Sequence, residues 1–238
     1  MKVEWTIKEQ RATIFIAPIQ YNVKNFAKVK DAISNDNYLP YVMPNVPVIP
    51  FNNQGIMPNI DWVMTNDSEQ KQIHFTPQKI DFISSKEDET PEVFCKEACD
   101  FFSRLIAVFG SKVKRLAYAP KYSIPASDSV LNGLNESIFK NYKFENKPLR
   151  GIDIRQNYRL SESLAEKNYE FNYIANLSVV QEIMSEPGKT LLKTRVENLF
   201  DINTVQDNAI VFTNDEVSSF FMQSPSFAAK FLSNYNNV

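Results

Sequence analysis

Apolar and polar residues change their spacing along the chain, and each change marks an element. Trp62 and Met64, Ile73 and Phe75, and Ile80 and Phe82 alternate with polar neighbours. Period-two alternation marks a strand with one buried face, so residues 61–84 read as two or three antiparallel strands. Asn66-Asp67-Ser68 supplies the first turn and Thr76-Pro77-Gln78 the next, since these residue types favour turn backbone. Upstream, residues 13–23 read as β-rich, with Pro18 marking an edge position or bulge. Residues 25–34 follow as a helix on the spacing of Phe26, Val29 and Ile33.

The strongest helical pattern runs from Pro91 to Phe109. Thr90 is a natural N-cap, Pro91 suits the first helical position, Glu92 complements the helix dipole, and Gly110 stops the helix. Phe94, Ala98, Phe101, Phe102, Leu105 and Phe109 form one broad apolar face, which predicts a helix lying across a sheet. A strand over 112–122 and a helix over 128–139 come next. Residues 149–160 alternate, and 169–184 and 191–202 read as long strands joined by a hairpin at 185–188. Thr213 and Glu216 have capping-box spacing, and the last helix is expected to kink or restart at Pro225.

Runs of strands separated by single helices predict an α+β fold, with antiparallel sheet covered by helices on one face. The 238 residues read as a single domain. Its two halves, 1–124 and 125–238, share a similar element order without a residue-level repeat.

Composition narrows the class. The chain is 43% hydrophobic with 18 Phe and 10 Tyr, enough ring area for a substantial core, so a disordered chain is excluded. A formal net charge of −2 is not the electrostatic footprint of a sequence-independent nucleic-acid binder. The first residues are charged and lack the apolar core of a signal peptide. The apolar stretch 101–109 is interrupted by Arg104 and is too short for a bilayer. Two cysteines in a chain of this length fit a reducing compartment. The expectation is a cytoplasmic protein that does not span a membrane.

Candidate chemistry is sparse. His74 is the only histidine, which removes multi-histidine metal centres and two-histidine nucleases. It lies between Ile73 and Phe75 and so projects from the other sheet face, toward solvent. Cys95 and Cys99 fall inside a core helix, whereas nucleophilic thiols favour helix N-termini or exposed turns. Gly188-Lys189-Thr190 resembles the tail of a phosphate loop, but Ile183 stands where the pattern needs glycine, and a hairpin turn accounts for the segment. Glu87-Asp88-Glu89 reads as a solvated run that complements the following helix N-terminus. No catalytic residue, metal or cofactor is expected.

Two polar or apolar sets remain. Asp153, Arg155, Asn157 and Arg159 share one face of a strand, with Arg150 nearby. The three arginines could form an anion- or partner-recognising surface. The plainer account is a wet strand with cross-strand ion pairs, for instance to Glu170 or Glu197. The second set is a loop with prolines at 40, 44, 47, 50 and 58, too proline-dense for helix or central strand. Its Tyr41, Val46, Ile49 and Phe51 are the expected partner contacts.

Three short segments, Ala17-Pro18-Ile19, Arg115-Leu116-Ala117-Tyr118 and Asp201-Ile202-Asn203-Thr204, together with the element order, resemble an uncharacterised, sporadically distributed family of bacterial α+β proteins. Gln20 and Asn22 stand where that pattern has an acidic residue. The resemblance implies no catalytic residues and an accessory role such as a mobile or defence-linked factor. The function expected is therefore a non-catalytic protein-binding or assembly factor, with a protein partner or homo-oligomer. The alternative is an enzyme acting on an anionic or phosphorylated substrate through Asp153, Arg155 and Arg159. Nucleic-acid binding through Arg150, Arg155 and Arg159 ranks last on the net charge.

Overall fold

The computed structural model describes residues 4–18, 23–33, 36–41, 62–110, 112–138, 153–186, 189–207 and 209–233. In chain order the elements are β1 (Thr6–Ile16), α1 (Val23–Ala32), β2 (Leu39–Tyr41), β3 (Trp62–Asn66), β4 (Lys71–Thr76), β5 (Lys79–Ser84) and α2 (Pro91–Phe109). Then follow β6 (Val113–Pro125), α3 (Asp128–Ile138), β7 (Asp153–Leu164), β8 (Lys167–Glu186), β9 (Lys189–Thr204) and α4 (Asn214–Leu232). The strands form one nine-stranded sheet in the order β2-β3-β4-β5-β1-β6-β9-β8-β7. Every pairing in it is antiparallel. The expected α+β fold, helices on one face of an antiparallel sheet, is the fold observed.

The sheet repeats one plan about its centre. A first strand (β1 or β6) leads to a helix. The chain then returns by consecutive strands that step inward from an edge, ending on β5 or β9 beside the first strand, and a long helix follows. β1 and β6 pair antiparallel with each other and join the two arrangements. The plan restarts at β6, so a division at residue 124 leaves that strand with the first half.

Strand alternation sorts the residues into two faces. On one, the register sets Ala12 and Ile14 between Phe82 and Ile80 of β5 and Tyr118 and Leu116 of β6. Farther out, Phe200 and Ile202 stand beside Ala175 and Tyr173 on this same face. All four described α-helices cover it: Val29 of α1 with Ile33 just after it, Phe101, Phe102 and Leu105 from α2, and Phe220 and Phe221 from α4 are buried in the main cluster. Val130 and Leu134 of α3 close a second cluster over Tyr122, Val196 and Phe200. Rings make the contacts. Phe82 stacks 5.1 Å from Phe101 and 5.5 Å from Phe94, Phe171 lies 5.6 Å from Phe220, and Phe102 meets Phe221 at 5.2 Å.

α2 begins and ends where its caps predict. Thr90 accepts from the Val93 amide, and Gly110 adopts a left-handed φ of 58°. β1 begins at Thr6, well before residue 13, because its first half carries Lys8, Glu9 and Arg11 and gives no apolar alternation. Pro225 neither ends nor restarts α4, which runs through it to Leu232. The neighbouring Phe220, Phe221, Ser224 and Ala228 are buried, and the Ser224 hydroxyl donates to the Phe220 carbonyl at 2.8 Å. Packing of the apolar stripe outweighs the lost backbone hydrogen bond there.

The N-terminus of α4 holds the expected capping box. Glu216 N–H donates to the Thr213 hydroxyl, and the Thr213 N–H donates to Glu216 Oε2 at 2.7 Å. Lys167 Nζ and the Tyr169 hydroxyl also donate to Oε1, at 2.8 and 2.6 Å. Burial works against this carboxylate, but the donors from Lys167, Tyr169 and Thr213 outweigh it and hold its pKa down at about 2. A carboxylate whose folded pKa lies below its unfolded value near 4.3 stabilises the fold above that pH. The contribution is lost as pH falls from about 4.3 toward 2. Urea unfolding across that window should show falling stability, and Glu216→Gln should flatten the acid limb. An unchanged limb in the variant would place the acid sensitivity elsewhere.

Candidate binding face

The opposite face of the sheet carries no helix among the described residues. Its residues are set by the same registers: Val63, His74, Asp81, Thr13, Ala117, Asn203, Asn172 and Arg159 stand side by side on eight consecutive strands. The row is hydrogen-bonded at several steps. Thr13 Oγ1 donates to Asp81 Oδ1 at 2.6 Å, and Lys79 Nζ donates to Asp81 Oδ2 at 2.7 Å. On the other side of the centre, Asn203 is a hub. Its Oδ1 accepts from Arg115 at 2.8 Å and from Asn172 at 3.0 Å, and its Nδ2 donates to Asp201 at 2.9 Å. Arg159 Nε donates to Asn172 at 3.3 Å, and the Arg115 guanidinium lies 4.9 Å from the Phe15 ring centroid.

The face is not evenly open. Over β3, β5 and β1, Val63, Asp81, Ile83 and Thr13 are buried. Over β9 and β7, Leu199, Asp153, Arg155, Asn157 and Arg159 are exposed. The exposed part combines a leucine, amides and charges of both signs on neighbouring strands, a composition that can recognise a partner surface. Among the described residues, no group of three or more His, Cys, Asp or Glu side chains is placed to hold a metal ion. No helix there is long and apolar enough to cross a membrane.

The expected recognition residues end up far apart. Arg155 and Arg159 lie on β7, one edge of the sheet, facing away from the helices. Tyr41 lies on β2, the other edge, opposite Val63. Eight strand spacings separate those edges, roughly 40 Å. Arg150, Val46, Ile49 and Phe51 fall outside the described residues. Of the two acidic partners expected for the arginines, Glu197 pairs with Lys121 at 2.8 Å, and Glu170 stands opposite Ser161. His74 is half-buried on the helix-free face, and Cys95 and Cys99 are buried free thiols. Burial pushes the Cys95 thiol well up, away from nucleophilic character.

The segments 115–118 and 201–204 are neighbours: Ala117 pairs with Asn203 and Tyr118 with Ile202, and the Leu116 amide donates to Thr204 Oγ1 at 3.0 Å. The Ala17 amide donates to the Lys112 carbonyl at 3.0 Å, three residues before Arg115. No family model matches the chain, and no curated protein matches it.

Sequence reasoning missed a polar cluster under the start of α2. Glu89 is not solvated with Glu87 and Asp88. Its side chain is 4% exposed and meets Lys71, itself 6% exposed, at 2.9 Å. Lys71 also donates to Glu97. Burial alone would depress the lysine pKa, but hydrogen bonds to Glu97 and Glu89 outweigh it and raise the value. Alongside, Gln10 Nε2 donates to the Glu89 carbonyl at 2.9 Å and Gln10 Oε1 accepts from the Tyr118 hydroxyl at 2.8 Å. The alternation of Lys71 with Ile73 and Phe75 placed it on the helix-covered face, a signal present in the sequence. Removing one partner of a buried pair leaves an uncompensated charge, at a cost of about 3–5 kcal/mol. Lys71→Met should lose about that much in urea unfolding, and Lys71→Met with Glu89→Gln should recover part of it. Equal stability of the single variant and the parent would contradict the pairing.

Proposed function

We propose that the protein is a non-catalytic binding and assembly factor whose helix-free sheet face receives another protein. One observation carries this reading. All the described helices crowd one face of the sheet, and the other presents an exposed, mixed polar and apolar surface over β9 and β7. Open sheet area of this kind is what partner surfaces use, and exposed apolar residues in a polar frame are typical of such interfaces. The sole histidine is half-buried on the helix-free face and the cysteines are buried within α2, so among the described residues no cysteine–histidine pair stands on this surface. Tyr41 on β2, with Val46, Ile49 and Phe51 of the proline-rich sequence that follows it, extends the same reading beyond β9 and β7, and an accessory role is its natural setting.

Tagged protein recovered gently from its host and weighed by native mass spectrometry tests this directly. A stoichiometric second protein retained by the parent should be lost on Leu199→Asp, which changes only an exposed position, while the variant Tyr41→Ala with Ile49→Ala and Phe51→Ala reports whether the proline-rich sequence contributes. Identical recoveries from parent and both variants would sink the reading. A retained small molecule in place of protein would redirect it to an anionic substrate at Asp153, Arg155 and Arg159.

A further inference from the structure

The two edges of the sheet are finished differently. β2 is three residues long and contains Pro40, which has no N–H to offer, so that edge cannot extend a ladder. β7 is twelve residues long, contains no proline, and pairs with β8 in unbroken register from Asp153↔Ser178 to Leu164↔Lys167. It has no strand on its outer side among the described residues, and nearly all of it from Asp153 to Ser163 is exposed or half-buried. A long, regular, unbulged edge is a template for another strand unless something blocks it.

Charge on β7 decides which strand fits. Edge charges of one sign repel a second copy, but β7 carries Asp153 together with Arg155 and Arg159 on one face. In an antiparallel pair of identical strands related by a two-fold axis, residue i faces j and j faces i. An axis through Gln156 sets Asp153 of each copy opposite Arg159 of the other, and Arg155 opposite Asn157. On the other face the same axis brings Ile154 opposite Tyr158, an aliphatic–aromatic pair of the kind that stabilises ladders. Moving each partner by two residues in one direction puts Arg155 opposite Arg159 twice. Moving it in the other puts Arg155 opposite Arg155. An axis through Ile154 would also set Asp153 opposite Arg155, but it leaves only residues 153–155 of β7 in the shared ladder, against 153–159 for the axis at Gln156. Charge and ladder length together therefore favour one register, as like charges directly opposite are unfavourable and unlike charges favourable.

We propose that the protein forms a two-fold homodimer through its β7 edges, with Gln156 on the axis and reciprocal Asp153–Arg159 pairs, so that the sheet continues from one copy into the next. This names one partner within the assembly reading and rests on it only loosely. A monomeric chain would overturn the dimer and leave binding at the β9 and β7 face to its own test.

The experiment is native mass spectrometry and light scattering on the full chain over a hundredfold concentration range. The parent should show a species at twice the 27.4 kDa chain mass. Asp153→Arg alone makes both cross-pairs arginine–arginine, and Arg159→Asp alone makes both aspartate–aspartate, so each variant should be monomeric. Mixed in equal amounts, the two variants should form a heterodimer, because each arginine then faces an aspartate. Circular dichroism of each variant checks folding, and the double variant Asp153→Arg with Arg159→Asp should dimerise again. A parent that stays monomeric throughout, or single variants that dimerise as well as the parent, would overturn the proposal.

Discussion

The antiparallel ladder between β1 and β6 runs down the middle of the sheet, and the rest of the structure is placed relative to it. It pairs Thr6 with Ser123 at one end and Ile16 with Val113 at the other, with irregularities between Ile7 and Glu9 and between Phe15 and Ile16. Each partner is the first strand of a strand–helix–strands–helix arrangement, and each holds the last strand of its own arrangement on its outer side. Neither arrangement alone has a closed edge at this line. Pairing β1 with β6 satisfies both rows of backbone groups at once, which matters because unpaired strand edges are costly when buried and hazardous when exposed.

The ladder also brings α2 and α4 together. Both helices follow the strand that flanks the centre, so both return over the middle of the same face, where Phe102 meets Phe221 and the Cys99 thiol donates to the Ser218 hydroxyl at 3.1 Å. The hydrophobic effect rewards that face for collecting rings. With all the described helices drawn to one side, the other side is left to side-chain hydrogen bonds, and the Asp81 and Asn203 networks occupy it. The division of labour follows from the fold: apolar area holds one face, and side-chain hydrogen bonds hold the other.

Much of this was legible in the sequence. Period-two alternation located β3, β4, β5 and most of β7, and local capping chemistry located both ends of α2 and the start of α4, since those signals lie within a few residues of one another. The start of β1 was hidden because polar residues occupy both of its faces: Gln10 points into the helix-covered side and is satisfied there by Tyr118 and Glu89. The restart expected at Pro225 does not occur, because a local rule was overridden by tertiary packing. The polar clusters were the least legible. Lys71, Glu89 and Gln10 lie on three different segments, as do Arg115, Asn172 and Asn203, and only strand order and register bring them within hydrogen-bond reach. The arginines on β7 were read correctly as one face of a strand, but their position at an edge depends on the crossover from β6 through α3 to β7, which no local pattern encodes.

The claim on which all of this rests is that β1 and β6 bind the two arrangements into one cooperative sheet. Native-state amide hydrogen exchange, followed by mass spectrometry through increasing sub-denaturing urea, tests it most directly. Amides of β1 and β6 should be the slowest in the chain, exchanging only by global unfolding and with the same opening free energy. If instead amides of β1, β4 and β5 open at a urea concentration where those of β6, β8 and β9 remain protected, the two arrangements unfold separately and the central ladder does not unite them.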